Sequence, residues 1–495
     1  MSERLRGRDL LLICVAVLLT YHLAFVHQWA MDDFHFIQRN PAVTGGPQLP
    51  LLRAVETPGG VFYRPLSMGL FSLVHALFGG GPRAFHVLAL AGHALASCLV
   101  AALTARMSTR WAGLAAGCLF AVHPVHVEAV ASITNSTEVF ASACSLAALW
   151  AWASHGGPDA PASTRRRALV AVYALGLAGL LFKESAVTLP AAMLVLERTE
   201  PFRGRRPIAT AVTVASVSSY LALRHLAVRG VFIASVTDGL WLFPRSSRVF
   251  TVLEIVSRYA RLLALPGEFS ADYRGPVFGV VSAPSLSALA GGAILLALLV
   301  TLVAALRRAT VVTAALAWVL VGLGLYLHVL PIIPLMAERF LYLPSVGFCI
   351  LVGVGLSWLR DRTEASRLAA VVLVSVCLWF GALAANRNLD WTNLVALWGA
   401  EIENHRGGSA FARANYGLAL ADAGQRAQGV RWLESSVCDR EGRVEYASEL
   451  ATVLLELDVD ARAGSLARVR GCLSARDPRV TTLARRLAGG AVPSR

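Results

Sequence analysis

Eleven apolar runs, set apart by short arginine clusters, leave this chain few folds to choose from. They lie at about 9–27, 84–105, 111–128, 137–154, 168–182, 185–197, 207–225, 285–306, 310–329, 340–358 and 367–385. A helix needs about 20 apolar residues to cross a hydrocarbon core about 30 Å thick, and most of these runs approach that length. Helices satisfy their own backbone hydrogen bonds in lipid, so successive runs of this kind predict membrane helices. Composition agrees, because 15% of residues are charged where a soluble domain carries about a quarter. The expected fold is all-α: a polytopic membrane domain over 1–390 with about eleven transmembrane helices, then a helical domain over 391–495. The first run follows Arg4, Arg6 and Arg8 as a signal peptide would, but no small-residue cleavage site comes after it, so a retained helix is expected.

The formal charge of +14 does not point to nucleic acid, because the basic residues cluster between apolar runs. Arg106 with Arg110, then Arg165, Arg166 and Arg167, then Arg203, Arg205 and Arg206, then Arg307 and Arg308, then Arg360, Arg362 and Arg367 fall in every second loop. Short cytoplasmic loops are enriched in this way, which predicts a cytoplasmic N-terminus. The opposite side then receives the loops 28–83, 226–284 and 330–339, the turns 129–136 and 183–185, and the tail. Segments 63–79 and 248–264 mix apolar and charged residues and are expected as interfacial helices.

In the tail, Gly417, Gly424 and Gly429 stand where a tetratricopeptide repeat places small residues. Ala451 and Ala463 follow Gly417 and Gly429 at its 34-residue period. Two helical hairpins are expected. Cys438 and Cys472 are also 34 residues apart. Equivalent positions on packed helices lie about 8–10 Å apart, beyond the about 7 Å between Cα atoms that a disulfide spans, so no bond is expected there. Cys14, Cys98, Cys118, Cys144, Cys349 and Cys377 lie in apolar runs and suit the role of small hydrophobes.

Four outer segments place charge at one depth: Asp32 and Asp33, Glu128 and Glu138, Lys183 and Glu184, and Glu338 and Arg339. Charge within a bilayer is costly, on the order of 2.5–3.5 kcal/mol at its centre, so such groups face a cavity or a partner. Their convergence predicts a polar cavity opening outward. Lys183 is the chain's single lysine among 45 basic residues, and an ammonium is not interchangeable with a guanidinium at a compact site. Plainer roles exist for each group. Asp32 and Asp33 could cap a helix, and Lys183 and Glu184 could pair with each other. His123 and His126 have ligand-like spacing, but histidines at an interface more often serve as hydrogen-bonded structure.

Taken in order, the motifs resemble a known family. Asp32-Asp33 precedes Ile37, Asn40 and Val43, and is followed by Tyr63-Arg64-Pro65-Leu66, Phe85-His86 and His93. Then come Phe120-Ala121-Val122-His123-Pro124-Val125-His126-Val127-Glu128, Lys183-Glu184-Ser185, Leu265-Pro266 with Asp272-Tyr273, and Ala337-Glu338-Arg339 leading to Leu341-Tyr342-Leu343-Pro344-Ser345. The ordered set is similar to the transmembrane-and-tetratricopeptide O-mannosyltransferases and their bacterial relatives. Where that family often has Gly-Arg-Ala-Asp, this chain has Asn135-Ser136-Thr137-Glu138, which keeps the acid without the arginine. The tail holds about two repeats in place of a long array.

The resemblance implies a membrane glycosyltransferase of the GT-C type. It would move a sugar, mannose among the candidates, from a polyprenyl-phosphate carrier to an acceptor hydroxyl with inversion, on the periplasmic face of a bacterial inner membrane. Asp32, Asp33 and Glu128 are its candidate catalytic acids, and Arg64, Lys183 and Arg339 its candidate donor-phosphate ligands. His123, His126, Glu138, Glu184 and Glu338 would support them. No cofactor is required, although some enzymes of this fold hold a divalent metal between carboxylates. The acceptor would be a protein or glycan, reached through the tail. An oligosaccharide ligase and a transporter of lipid-linked glycans are the rival readings.

Overall fold

The computed structural model describes residues 5–51, 54–57, 60–157, 160–199, 202, 207–228, 240–306, 310–329, 332, 334–362 and 366–489. Arg4, Arg203, Arg205, Arg206, Arg307 and Arg308, and parts of the 226–284 and 330–339 loops, lie outside the described residues. The chain divides into two compact units, one of residues 1–269 and 280–389, the other of residues 270–279 and 390–495.

The larger unit is helical. It contains α1 (Gly7–Thr20), α2 (Pro41–Thr44), α3 (Pro65–Phe78), α4 (Pro82–Met107), α5 (Arg110–Val122), α6 (Val127–Ala131), α7 (Ser136–His155) and α8 (Ala162–Phe182). After these come α9 (Leu189–Arg198), α10 (Ile208–Val228), α11 (Arg245–Ala264), α12 (Leu286–Leu306), α13 (Val311–Gly324), α14 (Pro344–Arg362) and α15 (Ser366–Asp390). Their starts follow local chemistry. Pro65 and Pro82 open α3 and α4, where a missing N–H costs nothing, and the Thr109 hydroxyl accepts the Ala112 N–H to begin α5. At the arginine-rich end, Arg110 closes both carboxylate oxygens of buried Asp9, with Nε–Oδ2 2.7 Å and Nη2–Oδ1 2.6 Å, tying α1 to α5.

Every apolar run is helical, but crossing capacity is narrower than the eleven spans expected. Among the described residues, four helices are long and apolar enough to cross a membrane: Pro82–Met107, Ile208–Val228, Leu286–Ala304 and Ser366–Asp390. A fifth forms if α5 and the Pro124–Ala131 segment, bent by 51°, count as one span. Three of the other runs give helices shorter than expected. The first stops at Thr20, the ninth at Gly324, and the sixth gives the ten-residue α9. These apolar helices make the chain an integral membrane protein. The segments expected at an interface are the helices α3 and α11. Among the described residues, the fold departs from all-α in an antiparallel hairpin of β1 (Val55–Thr57) and β2 (Gly60–Phe62) with Val55 opposite Phe62.

The smaller unit carries α16 (Leu394–Asn404), α17 (Ala410–Asp422), α18 (Arg426–Val437), α19 (Val444–Leu455), α20 (Val459–Cys472) and α21 (Pro478–Gly489). Helices α17 and α18 form a hairpin closed through two glycines. A Cβ at Gly417 would come within 2.7 Å of the Gly429 carbonyl oxygen, and one at Gly429 within 2.5 Å of that of Gly417. One period later the pattern weakens: Ala451 is buried, Ala463 is exposed, and α19 packs mainly on α21. The core gathers Leu433, Val437, Tyr446, Leu450, Leu454 and Leu483.

The cysteine expectation fails. Cys438 and Cys472 are joined by a disulfide, with Cα atoms 5.7 Å apart. Axis spacing misled because both residues sit at helix C-termini, Cys438 just past α18 and Cys472 ending α20, where the chains draw closer than the axes do. A second contact one period apart lies beside it. Arg468 grips Glu434 through Nε and Nη2, both at 2.8 Å.

Candidate functional site

The first loop turns at Met31, whose φ of +47° lies in the left-handed region that non-glycine residues rarely occupy. The turn sends the two aspartates to different surroundings. Asp32 is exposed, whereas Asp33 is wholly buried. Asp33 accepts hydrogen bonds from the Thr134 N–H at 2.7 Å, the Thr134 hydroxyl at 2.8 Å and the Ala30 N–H at 3.0 Å. It therefore pins the first loop to the turn between α6 and α7. Burial raises its pKa to about 6 against the opposing pull of those donors.

Around that turn, each candidate cation meets a carboxylate from another segment. Lys183, at the end of α8, donates to Glu138 Oε2 at 2.9 Å, and the Tyr326 hydroxyl donates to the same oxygen at 3.3 Å. Arg64, just before α3, donates through Nε to Glu184 Oε2 at 3.0 Å. Arg339 donates its backbone N–H to Glu128 Oε2 at 2.8 Å and its guanidinium to Oε1. The break at His123-Pro124 makes this last pair possible, because it turns α6 and its Glu128 toward the Glu338–Leu341 turn.

These pairs form one cluster. Burial, with the charges of Arg64 and Arg339, holds the Lys183 ammonium below the ordinary lysine value, while Glu138 opposes the shift. Asp32 lies within electrostatic reach of Arg339. Lys183 keeps spare donor capacity, since an ammonium has three N–H groups and Glu138 takes one. Among the described residues, Glu138 Oε1 is buried without a hydrogen-bond partner.

Other candidates lie elsewhere. Glu338 is fully buried and faces Arg387 of α15 at 3.5 Å, away from the Arg339 pair. His123 and His126 are buried structure. His123 Nε2 bonds the Leu263 carbonyl at 3.0 Å, and His126 bonds the Phe120 carbonyl at 2.9 Å and the Ser345 hydroxyl at 2.7 Å. Among the described residues, no three His, Cys, Asp or Glu side chains gather closely enough to hold a metal ion.

Two participants escaped sequence reasoning. Arg224 of α10 stands 3.9 Å from Glu184 Oε1, opposite Arg64. Tyr326 stacks on Phe340 with ring centroids 4.1 Å apart while holding Glu138. An arginine at the end of an apolar run was the available signal for Arg224. Tyr326 offered none.

Known proteins resemble this arrangement's sequence. A family model described as dolichyl-phosphate-mannose-protein mannosyltransferase matches residues 64–225, which hold Arg64, Glu128, Glu138, Lys183, Glu184 and Arg224. The protein O-mannosyl-transferase TMTC3 of Mus musculus is 26% identical over 372 residues, covering 68% of this chain and 40% of that protein. Tmtc1 of Drosophila melanogaster is 25% identical over 498 residues, covering 79% and 57%. Over these stretches the chain is similar to protein O-mannosyltransferases. It spans about half the length of those curated relatives. Of solved structures, the crystal structure of ArnT from Cupriavidus metallidurans in the apo state aligns over 98% of this chain and 78% of its own, at 17% identity and a TM-score of 0.48.

Proposed function

We propose that the chain is a GT-C glycosyltransferase that moves a sugar, mannose foremost, from a polyprenyl phosphate to an acceptor hydroxyl. The observation that carries this reading is the cluster of Arg64, Lys183 and Arg339, each pre-oriented by a carboxylate and gathered beside an exposed aspartate. The description of the family model matched over 64–225 names the same donor chemistry, and the relatives' names supply the acceptor class, protein hydroxyls.

In this reaction the acceptor oxygen attacks the sugar's anomeric carbon as the bond from that carbon to the phosphate oxygen breaks. The acceptor proton passes to a carboxylate, and the polyprenyl phosphate leaves with the bonding pair. Asp32 suits the base, because it is exposed and Asp33 is committed to three donors. Lys183 suits the leaving phosphate best, because among the described residues Glu138 takes only one of its three N–H groups, and Arg64 and Arg339 flank it. Glu128, Glu138 and Glu184 hold those cations in place, and no step is assigned to a metal. An eleven-span topology with the site and the tail on the periplasmic side of a bacterial inner membrane belongs to the same proposal, as does a tetratricopeptide-like tail that binds the acceptor.

The test is a donor screen on the purified chain that measures released polyprenyl phosphate for each sugar. Release from a polyprenyl-phosphate monosaccharide that requires an acceptor supports the reading. Consumption of a diphosphate-linked oligosaccharide alone would establish the ligase instead, and transport without release would establish the transporter.

A further inference from the structure

At the arginine-rich end of the larger unit, far along the helices from the cluster just described, a cavity of about 360 Å³ opens between α1, α4 and α7. That volume falls in the range of about 300–1,000 Å³ typical of small-ligand sites. One wall is apolar, made by Leu5 and Leu10 of the α1 region and Ala105 of α4. The other presents Arg106, Ser154 and His155, with Trp150 beside them. Arg106 is held in place, since its Nη2 donates at 2.7 Å to the Ala153 carbonyl in the last turn of α7, a position where backbone acceptors lack helical partners.

The surroundings favour an anion. Arg6, Arg8, Arg165, Arg166 and Arg167 are exposed around this end, and Asp9 is committed to Arg110. Tryptophan is enriched at the depth of lipid headgroups, and basic pockets between membrane helices take anionic headgroups. We propose that this cavity binds one anionic phospholipid of the adjoining leaflet. Its phosphate lies against Arg106, Ser154 and His155, and the first carbons of an acyl chain lie along Leu5 and Leu10. An ion site would need no apolar wall, and a neutral lipid would gain nothing from the arginines. The inference does not depend on the transferase reading.

The experiment follows thermal unfolding of the full-length chain in detergent, titrated with phosphatidylglycerol, phosphatidylcholine or inorganic phosphate. Phosphatidylglycerol alone should raise the melting temperature, and Arg106→Ala should weaken its apparent affinity about fivefold, as expected for one arginine at a charged lipid surface. Equal stabilisation by phosphatidylcholine, an unchanged phosphatidylglycerol response in Arg106→Ala, or full reproduction by inorganic phosphate overturns the proposal. A second reading needs no arginine variant. Brominated phosphatidylglycerol should quench fluorescence in the parent more than in Trp150→Phe, and equal quenching also overturns it.

Discussion

Met31, held at φ +47°, gives two adjacent and chemically identical side chains different work. Asp32 is open to an acceptor, so Asp32→Asn should lower turnover by about 10²–10⁴, the usual worth of general-base assistance, with the melting temperature unchanged. Asp33→Asn should act on stability instead. It leaves an amide N–H₂ facing donors and should cost about 1–3 kcal/mol, read by thermal unfolding. Asp33 also has a pH signature. Its folded pKa of about 6 lies above the model-peptide value of 3.8, so the native state binds the proton more tightly. The resulting stabilisation is fully present below the lower value and disappears as pH rises through about 6. Melting temperatures from pH 4 to 7 should show this fall in the parent and lose that component in Asp33→Asn. For Lys183, replacement by alanine should raise the KM for donor, since in the proposed role it would hold the phosphate in ground and transition states alike. Lys183→Arg should not restore it if the pocket beside Glu138 requires a compact ammonium, and full restoration would show that charge alone suffices. Lys183 was legible in the sequence because it stands alone among arginines. Arg224 was hidden by that same abundance, and the burial of Asp33 depends on Thr134, about a hundred positions away.

Helices were more legible than their ends. Each apolar run produced a helix, and segments 63–79 and 248–264 were expected as helices, because hydrophobic content survives any tertiary arrangement. Lengths were not legible, since a break such as His123-Pro124 is decided by what the following turn must reach, here Arg339. In the tail, Gly417 and Gly429 were found from spacing, and their contact gives that spacing a cause. Gly429→Ala should push α17 from α18 and destabilise the tail by about 1–3 kcal/mol, the usual penalty of overpacking, as measured by hydrogen exchange in both helices. The disulfide was misjudged because helix spacing describes axes and says little about where two C-termini meet. Closing a 34-residue interval, the bond should contribute about 4 kcal/mol on loop-entropy grounds. Alkylation of the denatured chain before and after reduction should expose two further thiols, and unfolding of α18 and α20 should move to lower temperature once they are free.

For the molecule as a whole, the proposed direction of insertion rests on arginine. The sequence places arginine clusters at alternate loops of the proposed topology, and the Cys438–Cys472 disulfide would persist in an oxidising compartment. A reporter active only in the cytoplasm should therefore stay silent when fused after residue 390 and work when fused to the N-terminus; the opposite pattern would reverse every assignment of sides. One further consequence lies in how the smaller unit is assembled. Residues 270–279 belong to it although they are encoded over a hundred positions upstream. There the Ala271 N–H and the Ser270 hydroxyl serve buried Glu401, Asp272 accepts from the Ser409 hydroxyl, and Arg274 lies 3.8 Å over the Phe411 ring. A gene fragment starting at residue 390 would encode helices whose buried Glu401 has lost the Ser270 and Ala271 donors. Exchange of such tails between relatives by recombination at that joint would yield misfits. The tail and the 270–279 loop are thus constrained to vary together, so if the tail selects the acceptor as proposed, a change of preference there must be matched by change within that loop.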